Sequence, residues 1–303
     1  MDRVTNGMTV KTVLADLTNA AQRLSLTQQR LSSGKQLTKP SDDPVGIGQA
    51  LQLRSDLATN RQYQRNVEDA TSWSQATDDA LGQVGDLVLT ARELILQGAN
   101  DAVGTQGRAA IANQLSQLID SVKAAANTQY AGRYLFAGSA TQTPPYKLDN
   151  GAATPDDTYY GNTAVMQREI GVGVRVDLNT VGSAVIGDGS SGLLKVLRDA
   201  LTDLQTNNTT DLQNGDLSAL DAAHDTILNA RTIVGSRQQR LDIASSRLQQ
   251  LEQVSMTLLS NVEDADMAKT MVDYSQQQAV YQAALQAGAR LVQPSLMDFL
   301  SSS

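Results

Sequence analysis

LSSGKQLTKPSDDPVG, residues 31–46, interrupts two long helical patterns and carries the residue types that each pattern needs at its end. Gly34 adopts the left-handed conformation that closes a last turn without a Cβ clash. Asp43-Pro44 opens the next helix: the aspartate accepts from free backbone N–H groups, and proline loses nothing at the first helical position. Residues 34–43, with Pro40 and Asp42 inside them, therefore read as a joint. Asp42 is read as a second capping carboxylate, with an ion pair across the joint as the sharper alternative. A similar signal lies in SNVEDADMA, residues 260–268. Ser260 and Glu263 have capping-box spacing, and the acids Glu263, Asp264 and Asp266 favour a helix N-terminus. The two joints leave terminal arms of nearly equal length, which is the natural outcome if the arms pair antiparallel.

Outward from the joints, the apolar residues keep a seven-residue beat. Val10, Leu17, Leu24 and Leu31 mark the first arm, with Val13, Leu14, Ala20 and Ala21 beside them. Val67, Leu81, Val88 and Ile95 mark a second helix, and Ile111, Leu115, Leu118 and Val122 a third. Leu220, Ile227, Val234, Leu241 and Leu248 mark a fourth, and Met267, Met271, Tyr274, Tyr281, Leu285 and Val292 the last. Such stripes predict long helices with coiled-coil-like packing. From about residue 137 to 192 the beat is lost, and Pro144, Pro145, Pro155 and many glycines punctuate the chain. Val172, Val174, Val176 and Leu178 alternate as in a half-buried strand, residues 165–170 read as its hairpin partner with Gly171 at the turn, and Tyr159-Tyr160 suits a third strand. The expected fold is mainly α: a long antiparallel, coiled-coil-like helical bundle built from both termini, with a small β-rich domain inserted in the middle. The expected division is 1–43 plus 261–303 (arms), 44–137 plus 192–260 (bundle) and 138–191 (insertion).

Composition narrows the function. The 303 residues are 41% hydrophobic but only 4% aromatic, with a net charge of −8 and no cysteine. There is no dense basic run for nucleic acid or an anionic membrane, and no stretch of 18 apolar residues to enter a bilayer. The first residues lack an apolar stretch of signal-peptide length, so any export is expected to read no cleaved leader. From residue 270 to 303 the only charges are Asp273, Arg290 and Asp298. Neutral polar faces cost far less to desolvate than charged ones, so these arms are suited to burial against other chains. The expected assembly interface is Val10, Leu14, Leu17, Leu24, Leu31, Met271, Tyr274, Tyr281, Leu285, Leu291 and Val292. The arms are expected to be weakly ordered alone and to order against neighbouring copies.

No catalytic set stands out. His224 is the one histidine and sits beside the Leu220 stripe, where a packed side chain is the simpler reading. The acids at 263–266 lack the glycine-centred calcium-loop pattern, and Gly34-Lys35 lacks the rest of a phosphate loop. Asn207 and Asn208 fit the glycosylation pattern, which is common by chance. Trp73 reads as core or helix-interface packing. No catalytic residue, cofactor or metal is expected.

QQRLSSGKQLTKPSDDPVGIGQALQLRSDL, residues 28–57, resembles the N-terminal signature of the bacterial flagellin family. NVEDADMAKTMVDYSQQQAVYQAALQAGARL, residues 261–291, resembles its C-terminal signature. The TKPSDDPVG wording, GRYLFAGSATQTPPY (residues 132–146) and the ending SLMDFL are similar to the members that join hook to filament. Flagellins tend to have alanine where Pro40 and Pro44 stand here. The resemblance implies a secreted, non-enzymatic structural subunit acting by self-assembly of its terminal helices. Its arms would line a central channel and its β insertion would face outward. The implied partners are other copies in a ring, a hook-associated protein on the hook side, flagellin on the filament side and a cytoplasmic export chaperone; the implied route is flagellar type III export. The filament subunit itself is the alternative within the family, and a secreted helical effector or enzyme the alternative outside it.

Overall fold

The computed structural model describes residues 6–151 and 154–301, with side-chain surroundings for residue 8 and for residues 10–151 and 154–289. Its elements are α1 (Asn6–Ser33), α2 (Pro44–Gly98), α3 (Thr105–Ala126), β1 (Gln129–Tyr130), β2 (Arg133–Tyr134), β3 (Gln167–Gly171), β4 (Val174–Asp177), α4 (Gly182–Val185), α5 (Leu193–Thr206), α6 (Thr209–Asp211), a π-helical turn (Leu212–Asp216), α7 (Leu217–Glu263) and α8 (Met267–Ser301). The architecture is mainly helical, with long helices towards both termini and a small strand region between them. Contacts divide the chain into two units, residues 1–58 with 252–303 and residues 59–251.

In the first unit, α1 lies antiparallel to α8. Thr27 Oγ1 donates to Gln277 Oε1 at 2.7 Å, and a Cβ on Gly288 would sit 3.3 Å from Val13 and 3.4 Å from Leu17. A small residue there lets the two helices approach closely. The hydroxyls of Thr12 and Thr18 return to the carbonyls four residues earlier, so they are satisfied within their own helix.

In the second unit, α2 and α7 are also antiparallel. Arg231 pairs with Asp78, Arg92 with Asp221, and Asn60 Nδ2 donates to Leu248 O at 2.8 Å. The heptad residues Leu81, Val88, Ile95, Leu220, Ile227, Val234 and Leu241 are all buried. Helices α3 and α5 pack together, and Leu204 lies against Gly98, where any Cβ would clash. Side chains from the strand region, among them Tyr146, Ile170, Val176 and Leu178, join the same apolar cluster as the helices. Trp73 is buried there, edge-on to Tyr130 with ring centroids 6.1 Å apart, and His224 is half-buried.

β3 and β4 form the expected antiparallel hairpin, but Gly171 is the last residue of β3, paired with Val174, and the turn falls at Val172-Gly173, where Gly173 has φ +68°. Val176 and Leu178 face the core, whereas Val172 is almost fully exposed at the turn, beyond reach of any covering element. Tyr159 and Tyr160 do not form a third strand. The Tyr159 hydroxyl donates to the carbonyl of Phe136 at 2.8 Å, with the carbonyl of Asn162 the alternative acceptor at 3.0 Å, which holds that segment in an irregular path. β1 and β2 form a short second ladder that has no alternating pattern to announce it.

Candidate assembly surface and joint

The first joint follows its sequence reading. Gly34 has φ +69° and its N–H bonds to Arg30 O at 2.9 Å, closing α1. Asp43 Oδ1 accepts from Val45 N at 3.0 Å, capping α2 just before Pro44. Asp42 is not a second cap of α2 and, among the described residues, forms no ion pair across the joint; it turns back to accept from the N–H groups of Thr38 and Lys39 at 3.1 and 3.0 Å. Those two backbone donors hold its carboxyl below the usual range. Pro40 lines a cleft of about 360 Å³ floored by Leu37, Ile47, Ala50 and Leu51.

The second joint departs from its reading. Ser260 is not an N-cap; it lies in the last turns of α7, and its hydroxyl donates to Asp264 Oδ2 at 2.6 Å. The cap of α8 is Asp266, whose Oδ1 accepts from Lys269 N at 3.1 Å. The spacing that resembles a capping box falls inside α7 because that helix continues through it to Glu263.

The two joints run side by side. Ala265 N donates to Gly34 O at 2.9 Å, Gln36 N donates to Glu263 O at 2.7 Å, and Lys35 and Asp264 form an antiparallel bridge. The Glu263 side chain is buried and receives both Lys35 Nζ, at 2.5 Å, and the Arg54 guanidinium. One carboxylate thus ties together the first joint, the start of α2 and the end of α7. Its role as a clasp was not read from the sequence, because Lys35 and Arg54 have no spacing relation to it.

The arm residues divide into two rows. Val10, Leu17, Leu24 and Leu31 on α1, and Tyr274 and Tyr281 on α8, are partly covered in the row that carries the Thr27–Gln277 contact. Leu14, Met271 and Leu285 lie outside that row and are 58%, 60% and 46% exposed. Met8, Leu26, Val272 and Val280 are exposed as well. The side chains of Leu291 and Val292 lie outside the described residues.

A second cluster of charges was not foreseen. Lys123 is wholly buried, with Nζ 2.6 Å from Asp149 Oδ1, 2.6 Å from Asp157 Oδ1 and 2.9 Å from the carbonyl of Asp156. Arg198 Nε reaches Asp157 Oδ2 at 2.8 Å, and its guanidinium also pairs with Asp149. Burial raises both aspartates, but hydrogen bonds from Lys123 and Arg198 outweigh it and leave their carboxyls below the usual range. The cluster binds the strand region to α3 and α5. Among the described residues no set of three or more histidine, cysteine or acidic side chains is placed to hold a metal ion, and no helix is long and apolar enough to cross a membrane.

Comparison with known proteins assigns the architecture. The bacterial flagellin N-terminal helical region matches residues 4–141, and the bacterial flagellin C-terminal helical region matches residues 217–300. The chain is 24% identical to flagellar hook-associated protein 3 of Salmonella typhimurium over 306 residues, covering 93% of this chain and 94% of that protein. It is 27% identical to the flagellar filament 30.7 kDa core protein of Treponema maltophilum over 262 residues, covering 85% and 84%. The crystal structure of flagellar hook-associated protein 3 from Legionella pneumophila shares the fold, with a TM-score of 0.61 at 14% identity over 69% of this chain and 98% of that one. With both helical regions in place at its two ends, this chain belongs to the bacterial flagellin family, as a structural component of the flagellum and not an enzyme.

Proposed function

We propose that this chain joins hook to filament, assembling through the outer faces of its terminal arms. The observation that carries the assembly reading is the division of those arms. α1 and α8 cover each other along one row and leave Leu14, Met271 and Leu285 open on the outside. Exposed apolar side chains in rows along paired helices favour contact with further helices. Copies in a ring are the first partners, with a hook-associated protein below, flagellin above, and a cytoplasmic chaperone before type III export. The placement at the junction draws on the TKPSDDPVG wording of the joint and on the end-to-end match to hook-associated protein 3.

The three-part division becomes a division of labour in this reading: arms 1–43 and 261–303 for the inner tube, the bundle for the outer shell, and 138–191 on the outside. The joint sets the angle between arm and shell. Pro40 and Pro44 restrict the backbone, and Glu263 fastens the two connections to each other.

Electron microscopy of cells lacking the gene is the direct test. Complete but bare hooks, with flagellin shed into the medium, are expected. Cells that still carry filaments of normal length overturn the junction reading. Long helical polymers from the purified chain alone point to a filament subunit instead.

A further inference from the structure

Four steps in the chain place glycine after asparagine or aspartate: Asn6-Gly7, Asn150-Gly151, Asp188-Gly189 and Asn214-Gly215. Glycine puts no side chain between its own nitrogen and the preceding side-chain carbonyl carbon, so at such steps the nitrogen can close a five-membered imide. Local structure separates the four. Asn6-Gly7 opens α1, and Asn214-Gly215 lies within the π-helical turn, so helical geometry fixes both backbones; Asn214 Nδ2 also donates to Thr210 O at 3.0 Å. Asp188 Oδ1 accepts from the N–H and hydroxyl groups of Ser190 and Ser191 at 2.8 to 3.0 Å. Those bonds hold its carboxyl below the usual range, and an ionised carboxylate is a poor target for a nitrogen nucleophile.

Asn150-Gly151 has none of these restraints. Both residues are exposed, in a turn where φ is +48° and +79°. A Cβ on Gly151 would meet nothing within 4 Å, so solvent reaches the nitrogen. Among the described residues neither the Asn150 amide nor the Gly151 N–H has a hydrogen-bond partner. The turn stands on the buried charge cluster. Asp149 N donates to Asp120 Oδ1 at 2.8 Å, and Asp156 N donates to Asp149 Oδ1 at 3.1 Å, which closes the stretch at its base. Asp149 and Asp157, the carboxylates that hold Lys123 and Arg198, lie on either side of it.

We propose that Asn150 is a site of spontaneous deamidation, and that its isoaspartyl product loosens the Asp149–Asp156 closure beside the Lys123 cluster. Gly151 N gives its proton to water and bonds to Asn150 Cγ; the Cγ–Nδ2 bond breaks, and that nitrogen takes up protons from solvent and leaves as ammonia. Water then opens the imide. Breaking the bond between Gly151 N and Cγ leaves an aspartate at 150. Breaking the bond between Gly151 N and the main-chain carbonyl carbon leaves an isoaspartate. Each route takes in one water for the ammonia lost and adds a negative charge next to Asp149. The isoaspartate alone carries the main chain through Cβ and Cγ, which inserts an extra carbon into the path between Asp149 and Asp156.

Peptide mapping by mass spectrometry of the purified full chain, held for weeks in neutral buffer at 37 °C, tests the site. The peptide that carries Asn150 should gain the mass difference between water and ammonia and separate into two forms, one of them methylated by an isoaspartyl methyltransferase. Conversion at Asn150 should exceed that at Asn214 by at least about tenfold, because the helical turn must open before its imide can close. Asn150→Gln, whose longer side chain would have to close a larger ring, should stay unconverted. Hydrogen exchange reads the consequence: the Asp149 and Asp156 amides should exchange several-fold faster in the aged wild type than in the fresh one. Fresh Asn150→Asp carries the new charge without the extra carbon and should match the fresh wild type there. No conversion at Asn150, or equal conversion at Asn214, overturns the site; unchanged exchange at Asp149 and Asp156 after conversion overturns the loosening.

Discussion

Glu263 shows how much one side chain can decide. It is a buried carboxylate with two cations on it, and removing the charge leaves Lys35 and Arg54 facing a neutral acceptor. Glu263→Gln is expected to slow or abolish assembly with little change in the melting of the second unit, measured by polymerisation assay and calorimetry. Asp43 acts more locally. Asp43→Ala removes the cap of α2 and should cost about 1 kcal/mol, as N-cap losses typically do, readable by denaturant titration. Lys123 is the structural opposite of both. Lys123→Met leaves Asp149 and Asp157 buried with Arg198 alone, and breaking a buried pair costs about 3–5 kcal/mol. Because these two aspartates are held below the ordinary carboxylate range, their contribution is present above about pH 4 and is lost as pH falls through their folded-state values. Thermal melts of the wild type should therefore drop steeply on acidification below about pH 4.

Helices α1 and α8 carry the assembly argument. The seven-residue beat locates the apolar stripe, but a helix stripe is wide enough to hold two rows. Folding uses one of them, and the other stays open. Leu24 sits in the covered row and Leu14 in the open one. Leu14→Asp should block assembly and leave the melting of the monomer unchanged. Leu24→Asp should block assembly and also weaken the α1–α8 pairing. The free monomer should exchange amide hydrogens quickly at residues 10–31 and 270–289, and the assembled form slowly. Strong protection in dilute monomer runs against that expectation. Pro44→Gly belongs with these elements too, since it frees the angle at which α2 begins; assembly should suffer more than stability, by filament attachment against melting temperature.

Across the whole molecule, what could be read early and what could not follows from distance along the chain. The ends of α1 and α2 were legible because Gly34, Asp43 and Pro44 act on backbone groups within a turn of themselves. The long helices were legible because burial on one face repeats at the helix period. The hairpin was legible from its alternation. The capping box at Ser260 failed because the local signal there is genuine in spacing but overridden by α7, whose packed face carries it through. Asn207 and Asn208 show the reverse. They matched a glycosylation pattern, yet their structural use is to close α5 in a left-handed conformation and to cap α6. The local grammar of turns and the apolar periods are written in neighbouring residues, so the long helices, the β3–β4 hairpin and the first joint follow from the chain alone, whereas the short β1–β2 ladder and the irregular path through Tyr159 do not. The clasp at Glu263, the Lys123–Asp149–Asp157–Arg198 cluster and the choice of which arm row stays open depend on groups brought together from distant positions. Their energies come from burial and charge proximity, and both exist only once the helices have packed.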